Sequence, residues 1–222
     1  MSLRDRLLEA ARAELARVGP AALSMRAIAR ELDVTVGALY RHVDGRDALL
    51  TELITEAYAA LGEAAERGGV GTPRERWRGA WRGVADWARA HPHEFDLLYG
   101  TPVIGYAAPA STIAEAARLP RILFGCLEGR SPGGECAGAA VPPLASMPAP
   151  LRADLDGVVA WASATAGFRP TPEQALAVVR AWTELLGTLG FAAHGHYVGS
   201  LEHHSAYFDW LVEAHAAALG LE

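Results

Sequence analysis

Lysine is absent: all 20 basic residues in this chain of 222 are arginine. Cysteine is nearly absent too, with Cys126 and Cys136 alone. Two thiols in or beside a Gly/Pro-rich stretch make a structural disulfide the lesser reading and favour a reduced, cytoplasmic setting. No apolar run approaches the ~20 residues that cross a bilayer. The opening stretch MSLRDRLLEA mixes charges into its first turns, where a secretory signal needs a continuous apolar core. No alternating strand pattern is present, and no internal repeat. Missing as well are the marks of an enzyme: a nucleophile beside a base, a phosphate-binding glycine loop, paired carboxylates in a recognisable motif. Metal-site spacing of the H-E-x-x-H or paired-cysteine type does not occur. His194 and His196 are two apart, which on a helix points them about 200° away from each other. The expectation is therefore no catalysis, no cofactor, no metal and no membrane.

What remains is an apolar-rich, helical chain. Hydrophobic residues make up 51%, enough for a core, which excludes disorder for most of the length. The net charge of −6 argues against a polyanionic partner, but it is unevenly spread. Residues 1–50 hold eight arginines against seven acids, and the remainder holds twelve against nineteen. Only the N-terminal part suits a polyanion, and arginine supplies forked donors for phosphate.

Leu8, Ala11, Leu15 and Val18 space out a first helix, which Gly19-Pro20 ends. Ser24 caps a second, with Met25, Ile28, Ala29 and Leu32 on one side, and Asp33 takes the turn. Thr35 caps a third, short helix with Val36, Leu39 and Val43 inward. Asp44 and Asp47 mark a fourth over about 45–66. Thr72, Pro73 and Glu75 form a capping box with proline at the first helical position. Trp77, Trp81, Val84 and Ala88 make the stripe behind it, and His91-Pro92 ends or kinks that helix. Further helices are expected over about 112–127 and 151–166, from the Thr171-Pro172-Gln174 capping box to about 196, and over about 200–219. Residues 129–150 read as a long surface loop. The expected fold is all-α: a three-helix helix-turn-helix DNA-binding domain over 1–46, then a larger helical domain over 47–222.

A helix that reads DNA must be short enough to enter the major groove and must present small residues first, so that its backbone approaches the bases. Thr35, Val36, Gly37 and Ala38 do this. Tyr40, His42 and Arg46 place donors toward flanking phosphates, and a helix starting at Gly45 turns its free N–H groups and positive dipole end the same way. The stretch LSMRAIARELDVTVGALYRHVDGRDALL, residues 23–50, resembles the DNA-binding domain of the tetracycline-repressor (TetR) family. The resemblance implies that Arg26, Thr35, Val36 and Gly37 face bases of double-stranded DNA. It implies that Ser24, Ala38, Tyr40, His42 and Arg46 face the phosphate backbone. Two positions depart from the family: Asp33 stands where glycine is usual, though aspartate tolerates a left-handed backbone, and Arg46 stands where lysine is usual.

By the same resemblance the larger part forms a homodimer and holds a small-molecule effector that releases the protein from a palindromic operator. HPHEFDLLYGTPV and AWTELLGTLGF are similar to the subgroup with a WHG-type effector domain, with Leu186 where that subgroup often carries histidine. Leu176, Val179, Thr183, Leu186, Gly187 and Gly190, with Leu201, Phe208, Leu211 and His215, are the expected dimer surface, two helices from each copy making a four-helix bundle. Trp81, Trp87, Phe95, Tyr99, Tyr106, Phe124, Trp161 and Trp182 are the expected lining of an apolar effector pocket. A ligand-independent architectural DNA-binding protein and a helical enzyme are the alternatives.

Overall fold

Short polar side chains start the helices where their sequence positions predict. In the computed structural model, which describes residues 2–128 and 144–222, α1 (Leu3–Val18) opens on a capping box. The Ser2 hydroxyl accepts from the Asp5 N–H at 3.1 Å, and the Asp5 carboxylate accepts from the Ser2 N–H at 2.8 Å. Ser24 caps α2 (Met25–Glu31) by accepting from the Ala27 N–H, and Thr35 caps α3 (Val36–Tyr40) by accepting from the Ala38 N–H. Between them Asp33 has φ 53, the left-handed turn expected of it. α4 (Gly45–Arg67) begins at a glycine with φ 88. The Thr72–Glu75 box starts α5 (Pro73–Ala90). Pro92 has no N–H to continue that ladder, and α6 (Pro92–Tyr99) begins there.

The helix expected over 112–127 is divided. After a 3-10 turn at Ala110–Thr112 come α7 (Ile113–Ala116) and α8 (Arg118–Gly125). Pro120 accounts for the break, because its ring clashes with the carbonyl four residues earlier. Thr112 is not the cap that its sequence suggests; its hydroxyl donates to the Pro109 carbonyl at 2.9 Å. α9 (Ala149–Thr165) follows, then α10 (Pro172–Ala193) on the expected Thr171–Gln174 box. α11 (His204–Ala218) starts later than the spacing predicts, because turns at Gly195 and Gly199, both left-handed, occupy the residues before it. Leu201 therefore precedes the helix. Most of the Gly/Pro-rich stretch expected as a loop, and Cys136 with it, lies outside the described residues; Cys126 is a buried free thiol.

Two compact units result: Met1–Ala60 with Ala90–Ala116, and Leu61–Arg89 with Ala117–Glu222. The expected division after residue 46 falls elsewhere for a physical reason. Leu49, Leu50 and Leu53 of α4 complete the core built by Leu7, Leu15, Ile28 and Leu39, and Leu97, Val103 and Tyr106 pack on it. A helix that closes a core cannot be parted from it at its first residue.

The second unit buries Trp77, Trp81, Leu123, Phe124, Val178, Leu185 and Leu211. α10 packs against α8, α9 and α11. The last turns of α4 lie so close to α5 that a Cβ on Gly83 would overlap the Ala64 carbonyl oxygen, and Gly68 and Gly79 meet backbone to backbone. α5 is tied to α11 by the Trp77 indole N–H, which donates to the Val212 carbonyl at 3.1 Å. Arg74 and Arg78 reinforce the tie, both donating to the Glu213 carboxylate at 2.8 and 2.6 Å. By length and composition alone α10 is long and apolar enough to cross a membrane. Its Arg180 and Glu184 interrupt the apolar surface, and Ala175, Val178, Ala181 and Leu185 are buried within the unit.

Candidate nucleic-acid interface

α2 packs against both α1 and α3, which leaves one side of α2, the turn and α3 facing solvent. Arg26, Thr35, Gly37, Tyr40, Arg41 and His42 are exposed there, Tyr40 by 53% despite its ring, and Ser24 is half-buried. Val36 is half-buried, one side of it resting on the core of the unit. Ala38 departs from expectation: it is buried beside Leu39. A helix of five residues has only one inward side, and these two consecutive residues occupy it. Ala38 cannot face a phosphate through its side chain.

Arg46 departs further. Its Nε donates to the Leu23 carbonyl at 3.1 Å, and one terminal nitrogen donates to the carbonyls of Pro20 and Ala21 at 3.0 Å each. Those carbonyls belong to the segment joining α1 and α2, where the helical ladder leaves them without amide partners. The guanidinium staples that segment to the start of α4, so the group expected at a phosphate is engaged within the unit.

The same question separates the other arginines of residues 1–50. Arg4 donates to the Glu52 carboxylate at 2.9 Å and to the His42 carbonyl at 3.4 Å. Arg6 donates to the Leu32 carbonyl at 3.3 Å, Arg12 pairs with Glu56 at 2.5 Å and Arg17 with Glu14 at 2.6 Å. Arg26, Arg30 and Arg41 have no such partner among the described residues, and all three are exposed. Arg30 and Arg41 are absent from the residues expected to touch DNA. Sequence spacing could not find them, because which arginines are engaged depends on long-range pairs such as Arg4 with Glu52 and Arg12 with Glu56, 48 and 44 positions apart.

The expected dimer residues divide between two environments. Thr183 and Gly187 of α10 are exposed, and Leu176, Val179, Leu186 and Gly190 are half-buried. Gly187 and Gly190 have open space where a Cβ would be. Phe208 and Leu211 are instead core residues, Phe208 lying 5.7 Å from the Trp81 ring between centroids. His215 is turned inward as well. Its ring lies 5.4 Å from that of Trp81, its Nε2 meets the Glu184 carboxylate, and burial lowers its pKa while Glu184 opposes that shift. The outer side of α11 carries Trp210, 63% exposed, stacked on Tyr207, and Phe191 at the end of α10 is 54% exposed.

The aromatics expected around an effector are mostly core. Trp81, Trp87, Phe95 and Phe124 are buried. Phe95 and Tyr99 pair in the first unit, where burial pushes the Tyr99 phenol far above its ordinary range, and the Tyr106 hydroxyl meets that of Thr51 at 2.9 Å. Trp161 meets Phe124 edge-on in the second unit, and Trp182 is half-buried. An open cleft of about 710 Å³ in the second unit is lined instead by Asp156, Val159, Ala160, Ser163, Ala164, Arg169, Pro170 and Pro172, and it includes none of the expected aromatics. Among the described residues, the indole nitrogens of Trp81 and Trp182 are buried without an acceptor.

Comparison with known proteins bears on both ends of the chain. Residues 7–53 match the profile of the bacterial regulatory proteins of the tetR family, and residues 77–215 match that of the tetracyclin repressor-like C-terminal domain. The HTH-type transcriptional regulators Rv1816 of Mycobacterium tuberculosis and Mb1846 of Mycobacterium bovis are each 40% identical over 116 residues. That match spans 50% of this chain and 50% of each relative. Among solved structures, SCO4313, described as a regulatory protein, is 27% identical with a TM-score of 0.73, over 97% of this chain and 95% of that one. The TetR family transcriptional regulator PfmR of Thermus thermophilus shares the fold at 22% identity and a TM-score of 0.59, over 94% and 98% of the two chains.

Proposed function

The chain belongs to the tetR family of bacterial transcriptional regulators, and from that premise we propose that it is a homodimeric repressor, released from a palindromic operator by a small, mostly apolar effector. The observation that carries the DNA contact is the exposed face of α2 and α3 with three unengaged guanidinium groups, Arg26, Arg30 and Arg41, around it. Arg26 stands toward bases, and Arg30 and Arg41 join Tyr40 and His42 as phosphate contacts. One head offers too few contacts for tight specific binding, and a two-fold site read by two heads is the general remedy.

The outer side of α10 supports a dimer. Gly187 and Gly190 each cost a helix roughly 1 kcal/mol, and nothing among the described residues occupies the space their side chains leave. Close approach of a second copy gives them a use, with Leu176, Val179, Thr183 and Leu186 beside them and Phe191 and Trp210 as exposed aromatic anchors. The effector reading is supported by the indole N–H groups of Trp81 and Trp182. A buried donor without an acceptor costs about 1–3 kcal/mol, and an apolar molecule bearing a carbonyl would satisfy it. α4, common to both units, is the element through which effector binding would reach the head.

Selection of duplexes from a random pool, followed by titration at several salt concentrations, tests the DNA contact. A palindromic site is expected, with affinity falling as salt rises. Arg30→Ala and Arg41→Ala should each flatten that slope by about 1. An unselective pool, or slopes equal to that of the wild type, would overturn the assignment.

A further inference from the structure

Resting on the reading of the head as a DNA-binding unit, we propose that Gly37 is a specificity-determining position. The gap left by its missing side chain admits the 5-methyl group of a thymine, and A·T pairs in the operator are read through that methyl rather than through adenine.

The first ground is that the fold itself gains nothing from glycine there. Glycine is the poorest helix former after proline, and α3 has only five residues to hold together. Gly37 is not among the residues with a left-handed backbone, so its conformation is open to any side chain. A Cβ built on it meets nothing nearer than the Thr35 hydroxyl oxygen, at 4.0 Å. Gly83 is the contrast: a Cβ there would strike the Ala64 carbonyl. The space at Gly37 opens outward, on the face that carries Thr35, Tyr40 and Arg41. Its use lies outside the chain.

The second ground is compositional. The chain has no asparagine, and its one glutamine, Gln174, lies in the second unit. The two-point hydrogen-bond pattern of adenine in the major groove is matched by asparagine or glutamine, so no residue of the head can make that contact. Arginine supplies the corresponding pattern for guanine, and Arg26 is exposed to do so. An A·T pair is then distinguishable chiefly by thymine's methyl group. The Thr35 hydroxyl already accepts from the Ala38 N–H at 3.2 Å, which fixes this side chain beside the gap.

The test uses the full chain and a duplex obtained by selection. Each thymine is replaced in turn by deoxyuridine, which lacks only the methyl group, and each adenine by 7-deazaadenine, which lacks only the N7 acceptor. One thymine per half-site should weaken binding about 5-fold when demethylated, and the 7-deaza substitutions should be neutral. Gly37→Ala should melt at or above the wild-type temperature, bind the duplex at least 10-fold more weakly and no longer distinguish thymine from uracil at that position. Indifference to every deoxyuridine would overturn the proposal. So would a 7-deazaadenine effect larger than any methyl effect, or Gly37→Ala binding as tightly as the wild type. The base-analogue arms use the wild type and decide the matter even if the variant does not fold. A pool that yields no selected duplex would overturn the DNA-binding reading, and the notch with it; a selected duplex insensitive to the methyl overturns the notch alone.

Discussion

At the scale of single residues, the decisive property of an arginine in this protein is what already holds it. Arg41 and Arg46 are five positions apart on either side of the turn into α4, yet one is unengaged and the other grips the carbonyls of Pro20, Ala21 and Leu23. Arg46→Ala therefore leaves part-buried carbonyls without a charged donor, at a cost of about 2 kcal/mol. The expected result is a lower unfolding midpoint with an unchanged salt slope for DNA binding, measured by denaturant titration and by binding across a salt series. A flattened slope with stability intact would return Arg46 to the phosphate role that its place in the sequence suggests. Resemblance assigned that role by position; the hydrogen bonds that engage the group here join residues more than twenty positions apart, beyond any local pattern.

At the scale of elements, helix starts were legible and helix partners were not. Capping boxes at Thr72 and Thr171 and the simple caps at Ser24 and Thr35 are local chemistry, each closed within three residues, and all four appear where spacing placed them. The left-handed turn at Asp33 was legible for the same reason. Whether Phe208 faces a second copy or the Trp81 ring depends on which helix lies beside α11, and periodicity gives the stripe without its neighbour. The break before α8 was missed because Pro120 sits inside an otherwise continuous apolar pattern.

The tie between α5 and α11 carries a pH signature. The Arg78 guanidinium, and Arg74 after it, hold the Glu213 carboxyl down to about 2 from an ordinary 4.5. Because the folded pKa is the lower one, this pairing stabilises fully above about pH 4.5 and fades as pH falls toward 2. Glu213 is partly exposed, so solvent screening limits the gain to about 1 kcal/mol. The difference in melting temperature between the wild type and Glu213→Gln should be constant above pH 5 and close toward zero between pH 4.5 and 2. A difference that persists undiminished at pH 2 would show that the carboxylate charge is not what joins these helices.

At the scale of the whole molecule, composition and function are reconciled by segregation. A chain of net charge −6 meets a polyanion through a small face on which three arginines remain unengaged, and the remaining acids lie mostly beyond residue 50. On the proposed reading the head alone is a weak reader and a second copy supplies tight binding, with half-sites about 34–36 Å apart. The mass of the complex formed on a selected palindromic duplex tests this most directly. Two 23.5 kDa chains on one duplex is the predicted result, with half a palindrome binding far more weakly. A single chain on the duplex, with full affinity for half the palindrome, would contradict the account.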